Sequence, residues 1–320
     1  MKVLCAGLAV CDILVKPVTP DSLASDTTAV EQIVLAGGGD AYNVACNLAA
    51  MGVGVSLVTR VGDDELGGWL LNQARSRSIA DGIIVRRDAR TSASIVAIHP
   101  DGERSFFSYK GACHAMTPED VTDRRLSGYD VFYLGSAFDL PGIDNATAGL
   151  ATLFERAKTH GLFTVLDVTT DLTPAHMDTL RPALPHLSLF IPSQGQALGL
   201  TGTSDPEQAA RRFRELGCET VVVKLGPAGC LILTGNHCVR LPAYRAEVVD
   251  TTGAGDAFVS GYLAAHTRGL PPIACARHGN AAGAVAVGAI GANGALKNFQ
   301  QLVRIVNLGV FATPGIGNVT

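Results

Sequence analysis

The sequence predicts an α/β fold: a mostly parallel central sheet, helices on both of its faces, and a small second sheet beside it. Short apolar runs at 131–134, 163–167, 187–191 and 220–225 alternate with helix-like stretches at 145–159, 174–184 and 206–216. Two places break that rhythm. Extended pieces at 13–18 and 29–35 follow the first apolar run with no helix between them. A second extended pair, 91–98 and 103–109, flanks His99-Pro100-Asp101-Gly102, a hairpin turn in which Asp-Gly tolerates positive φ. No Pro/Ser-rich linker or charge block divides the 320 residues, so 1–320 reads as one large unit. Its lid pieces lie at about 12–36 and 91–110, where a closing site would exclude water.

Along the chain, the run 3–11 imitates a short signal peptide, but it meets Asp12 directly and lacks a small-residue cleavage site. A buried first strand is the better reading. The run 279–296 carries no charge, yet Ala and Gly make it too weakly apolar for a membrane span. It reads as a helix packed tightly inside a core, and the protein as soluble. A net charge of -4 argues against a nucleic-acid partner. The eight cysteines form no C-x-x-C pair, which suits free thiols in a reducing cytoplasm. The histidines show no H-x-x-x-H spacing, and His99, His114 and His278 read as structural.

Two glycine-rich segments carry the chemistry. Gly37, Gly38 and Gly39 lead into a helix that closes at Gly52, with Asn43 one turn in. Side-chain-free backbone lets a polyhydroxylated ligand approach, and the Asn43 amide both donates to and accepts from hydroxyls. A plain loop-to-helix junction is the alternative. Gly253-Ala254-Gly255 opens a helix running to about residue 267. Its unpaired N–H groups and positive dipole end attract phosphate. Asp256, in the first turn, is either a dipole-compatible residue or a general base beside the transferred group. No G-x-x-x-x-G-K-[ST] occurs, and neither glycine cluster completes a dinucleotide fingerprint. Asp139, after the 131–134 strand, is a further candidate substrate contact. Phe106 and Phe107 offer aromatic faces to a substrate or pack the lid on the core; Arg104 is a contact for a phosphorylated sugar or an ordinary exposed hairpin residue.

The segment 250–258, Asp-Thr-Thr-Gly-Ala-Gly-Asp-Ala-Phe, resembles the C-terminal signature of the ribokinase-like (PfkB) carbohydrate kinases. Gly38 to Ala45 resembles their N-terminal signature, and 60–67 and 223–229 resemble further family segments in the same order. The resemblance implies a three-layer α/β/α sandwich with a small β-sheet lid. It also implies ATP-dependent phosphorylation of a sugar or nucleoside hydroxyl, with Mg²⁺. By the same resemblance Asp256 is the catalytic base, and Gly253, Ala254 and Gly255 form the anion hole. Asp12, Gly38, Gly39 and Asn43 match substrate contacts. Lys224, Gly226 and Gly229 fall on the nucleotide loop, Asn280 near the adenine, and Asp250 and Thr252 in a stretch that in many members holds a monovalent cation such as K⁺. One departure stands out. The family's N-x-x-E, which serves magnesium and phosphate, is here Ser193-x-x-Gln196. Losing the carboxylate weakens a site for a hard cation, so altered metal dependence is expected. A binding homologue with impaired catalysis is the competing class. An edge of the lid sheet is also able to pair two subunits into a homodimer.

Overall fold

The computed structural model describes residues 1–100, 103–144, 149–169 and 172–312. Its strands along the chain are β1 (Lys2–Ala6), β2 (Val10–Lys16), β3 (Gln32–Gly38), β4 (Gly54–Gly62), β5 (Gly82–Arg86), β6 (Ala93–Ile98) and β7 (Arg104–Tyr109). There follow β8 (Val131–Ala137), β9 (Phe163–Val168), β10 (Leu189–Phe190), β11 (Thr220–Lys224), β12 (Cys230–Thr234) and β13 (His237–Leu241). Nine of them form one sheet in the order β13-β12-β11-β10-β9-β8-β1-β4-β5. It is parallel from β5 to β11, and β12 and β13 add antiparallel at one edge.

The central strands are mostly apolar because both faces are covered. All seven residues of β8 are buried. Alternate side chains go to opposite cores. Val131 and Tyr133 join one apolar cluster, packed by the helices Asp40–Ala50, Ala254–His266 and Pro272–Val287; Phe132 and Leu134 join another, packed by Gly149–Thr159, Gln194–Thr201 and Pro206–Glu215. Three layers result.

The remaining four strands form the second sheet, ordered β3-β2-β6-β7. Register places Asp12, Ser94 and Ser108 in one row. The pleat puts Phe106 and Arg104 on that same face, and Ile13, Ile95 and Phe107 on the other.

Several expectations about elements change. A short helix, Pro20–Ala24, stands between β2 and β3, opened by a Thr19/Ser22 capping box. The strand expected at 187–191 pairs only at Leu189–Phe190. The helix expected at 174–184 is broken into a 3-10 turn Pro174–His176, one helical turn Met177–Leu180 and a second 3-10 turn Leu184–His186. Pro182 and Pro185 supply no N–H and forbid a continuous ladder there. The uncharged run 279–296 is helical only to Val287, after which bends carry it to residue 298. The start of the 145–159 helix and the tip of the 99–102 turn lie outside the described residues. Among the described residues no helix is long and apolar enough to cross a membrane, and all eight cysteines are free.

Candidate active site

The first half of the site is built where β2, β3 and the Asp40–Ala50 helix meet. A Cβ at Gly38 would lie 2.0 Å from Asp12 Oδ2, so only glycine lets the Asp12 carboxylate stand there. Burial pushes the Asp12 carboxyl up to about 6. Asn43 donates from Nδ2 to Asp256 Oδ2 at 2.8 Å. Its Oδ1 accepts from Asn293 Nδ2 at 2.7 Å, and the same Asn293 amide donates to the Gly37 carbonyl at 2.9 Å. Asn293 therefore fixes which way the Asn43 amide faces. Sequence reasoning had placed it inside a packed helix; only its polarity within an apolar run hinted at more.

The Ala254–His266 helix opens after Gly253, whose φ of 68° is left-handed and whose Cβ would sit 2.6 Å from Ala292 Cα. No side chain caps this start, so its first N–H groups are available to an anion. Lys224 Nζ lies 3.5 Å from where a Gly255 Cβ would stand, and donates to Asp167 Oδ2 at 2.6 Å. Asp167 is buried, and burial raises its carboxyl while Lys224 pulls it back. Asp40 accepts from Ser136 Oγ at 2.9 Å and is pushed up to about 6 by burial and by Asp167. Asp256 is raised well above the carboxylate range by burial, then by Asp40, against the opposing Asn43 bond and Lys224 charge. Asp40, Asp167 and the buried Tyr133 hydroxyl, which has no hydrogen-bond partner, belong to this cluster and were not foreseen.

A pocket of about 310 Å³ runs outward from the helix start, lined by Lys224, Gly226, Gly229, Tyr244, Phe258 and Asn280, with Ala254 and Gly255 at its inner end. Asn280 does line it, but its amide donates to the Leu241 and Pro242 carbonyls at 3.2 and 3.1 Å and so holds the pocket wall. Tyr244, stacked on Phe311 with centroids 5.2 Å apart, went unnoticed in the sequence.

Other candidates are engaged elsewhere. Ser193 and Gln196 form a helix capping box: Ser193 N–H donates to Gln196 Oε1 at 2.6 Å, and Gln196 Nε2 donates to the Val168 carbonyl at 2.7 Å. Among the described residues no group of three or more His, Cys, Asp or Glu is placed to hold a metal ion, so an all-protein Mg²⁺ cage does not fit. Asp250 Oδ1 accepts from Thr252 N and Oγ1 at 2.9 and 2.6 Å, and Oδ2 accepts from Gly291 N at 2.8 Å. Asp139 is held by Lys110 Nζ at 2.7 Å and by His114 Nε2 at 3.3 Å. Burial opposes charge on His114, but Asp139 raises it to about 9. His99 and His278 bond to the backbone, as structural residues do. Phe106 and Phe107 are both exposed and do not pack the lid down.

A mostly parallel α/β core, a small lid sheet and an uncapped glycine-opened helix beside a pocket of about 310 Å³ have the form of a small-molecule kinase. The chain belongs to the pfkB family of carbohydrate kinases, whose model matches residues 1–298, and is thereby a phosphotransferase. It is 26% identical to the ribokinase of Staphylococcus aureus over 277 residues, covering 84% of this chain and 88% of that one. It is 31% identical over 288 residues to the aminoimidazole riboside kinase of Salmonella typhimurium, covering 83% and 86%. The solved structure of a putative ribokinase II from E. coli, in complex with ATP and Mg²⁺, superposes with a TM-score of 0.81 at 22% identity over 96% of this chain and 99% of that one.

Proposed function

We propose that the protein transfers the γ-phosphoryl group of ATP to a hydroxyl of a sugar or a related small molecule such as a nucleoside. One observation carries this: the Asp256 carboxylate stands at an uncapped helix start, held by Asn43 of the Asp40–Ala50 helix and flanked by Lys224 of the pocket. In-line transfer needs positioning, a base and charge neutralisation at one place. Asp12, Gly38, Gly39 and Asn43 hold the acceptor, because a carboxylate, side-chain-free backbone and an amide together satisfy hydroxyls. Asp256 takes the hydroxyl proton; its raised pKa brings it nearer the operating pH, where a general base is most effective. N–H groups of Gly253, Ala254 and Gly255, with Lys224, meet the charge developing on the phosphoryl oxygens. Mg²⁺, when bound with the nucleotide, would supply further charge neutralisation, and Gln196 would offer it no carboxylate. Asp139 meets the acceptor through the charge pair it forms with Lys110. The chain acts as a single unit whose two lid pieces close on the core, in a reducing cytoplasm that suits eight free thiols. The lid edges β3 and β7 offer a route to a homodimer.

The test is ADP release across pentoses, hexoses and nucleosides, with Asp256→Asn as control. Asn keeps the size and loses the proton acceptor, so turnover should fall by about 10²–10⁴-fold; undiminished turnover sinks the assignment. The second reading, a sugar- or nucleotide-binding homologue without turnover, is favoured by the engaged Gln196. It predicts binding of both ligands and no ADP from any of them with Mg²⁺, Mn²⁺ or K⁺.

A further inference from the structure

Arg104 opens β7 on the lid face that also carries Asp12. Its guanidinium leaves the lid. Nη1 lies 3.1 Å from Asp250 Oδ1, and Nη2 donates to Thr251 Oγ1 at 3.4 Å, a partner 147 residues away in the chain. The pair is shielded, with side chains only 21% and 18% exposed, so solvent screens it less than an ordinary surface pair.

Its position matters more than its strength. Thr251 lines the nucleotide pocket, and Gly253 begins the uncapped helix. Asp250 binds Thr252 on one side and Gly291 on the other, while Gly253 packs against Ala292. Asn293, next in line, orients Asn43 and through it Asp256. One guanidinium therefore tethers the lid to the node from which both the helix start and the acceptor amide are fixed. The Asp250 carboxylate already accepts three hydrogen bonds besides this ion pair. Its charge is met by the lid guanidinium at Oδ1, while Oδ2 accepts from Gly291 N–H.

We propose that Arg104 is a positioning residue that supplies, from the lid, the positive charge of the Asp250 loop. Lid closure and ordering of the anion-binding helix start are then a single event, and the protein requires no monovalent cation there. The inference deepens the kinase reading and rests on it only where turnover is measured. Arginine suits the task because its planar fork reaches two acceptors at once, which an ammonium does not.

The test compares wild type, Arg104→Gln and Arg104→Lys in KCl and in N-methylglucamine chloride at equal ionic strength. Three quantities are read: amide hydrogen exchange, ATP affinity by calorimetry, and ADP release. Wild-type ATP affinity and turnover should agree between the two salts within about twofold, because the loop carries its own cation. In Arg104→Gln, exchange should rise together in 104–109 and 250–254, and ATP affinity should fall about tenfold. Arg104→Lys should lie between them, which also guards against a Gln variant that folds poorly. A tenfold gain for wild type in KCl would overturn the proposal, as would unchanged exchange at 250–254 in both variants. If wild type binds no ATP in either salt, the kinase reading falls while the exchange comparison still decides the role of Arg104.

Discussion

Asp40, Asp167 and Asp256 converge on a single ammonium, that of Lys224, and this imbalance sets how each acid behaves. Asp40 lies one helical turn before Asn43, on the same helix face. Its folded-state pKa, about 6, stands above the ordinary carboxylate value. Its contribution to stability is therefore fully present below about pH 4 and is lost as pH rises through 6. Asp40→Asn removes that loss while keeping an acceptor for Ser136. The variant should be more stable than wild type at pH 7 by about 1–2 kcal/mol, with the difference vanishing near pH 4, as urea denaturation at the two pH values would show. Equal stability at both would mean that Asp40 ionises without strain. The acid limb of the pH–rate profile should also move to lower pH, because a negative neighbour of Asp256 has gone. Asp256, Asn43 and the glycines were legible because each sits in a contiguous motif whose spacing has a chemical reason. Asp167, Tyr133 and Asn293 were not. Each stands alone in the chain and acquires its role only when β8, β9 and the 288–298 bends come together.

At the scale of elements, Gln196 shows how a local need fits a residue where the resemblance to the family implied an acid. The Gln194–Thr201 helix is opened by a reciprocal capping box, and at neutral pH an amide, unlike a carboxylate, both accepts from Ser193 N–H and donates to the Val168 carbonyl. Glutamate at this position keeps the first bond and loses the second while ionised, leaving a buried carbonyl against a carboxylate. Gln196→Glu should cost about 1–3 kcal/mol at pH 7. The cost should shrink below pH 4, where the protonated acid donates again; a chevron or urea midpoint equal to wild type at pH 7 would contradict it. The same local logic explains which helices were legible. Pro206–Glu215 announces itself with Asp205 as its cap, Pro at its first position and a strong apolar stripe. The 174–184 stretch has the composition of a helix, but Pro182 and Pro185 interrupt its hydrogen bonds. In 279–296 the uniform Ala/Gly composition hid the end at Val287, since no charge or proline marks it.

At the scale of the whole molecule, two breaks in the strand–helix rhythm sufficed to foresee a second sheet, because extended pieces joined by short links lack the crossover that continues a parallel sheet and pair antiparallel, as β2 does with β3 and β6 with β7. The nucleotide pocket was only half legible: its glycine and lysine loop is contiguous, whereas Tyr244, Phe258 and Val287 are brought together by tertiary packing alone. That separation has a measurable consequence. Asp256 does not line the pocket, so in the proposed reaction nucleotide binding and proton abstraction belong to different parts of the site. A ligand that binds only the folded state stabilises it by about 2.7 kcal/mol at a hundredfold excess over Kd. For a chain of this size that should raise the melting temperature by several degrees, given about 2–4 °C per kcal/mol in somewhat smaller domains. Asp256→Asn should retain the ATP-induced shift in full. It should even exceed wild type slightly, because the buried carboxylate that repels the polyphosphate has been neutralised. Thermal denaturation of both proteins with and without ATP checks this directly. Loss of the shift in Asp256→Asn alone would show that the acid shapes the nucleotide pocket. Absence of a shift in both would show that the pocket between Lys224 and Tyr244 is not where ATP binds.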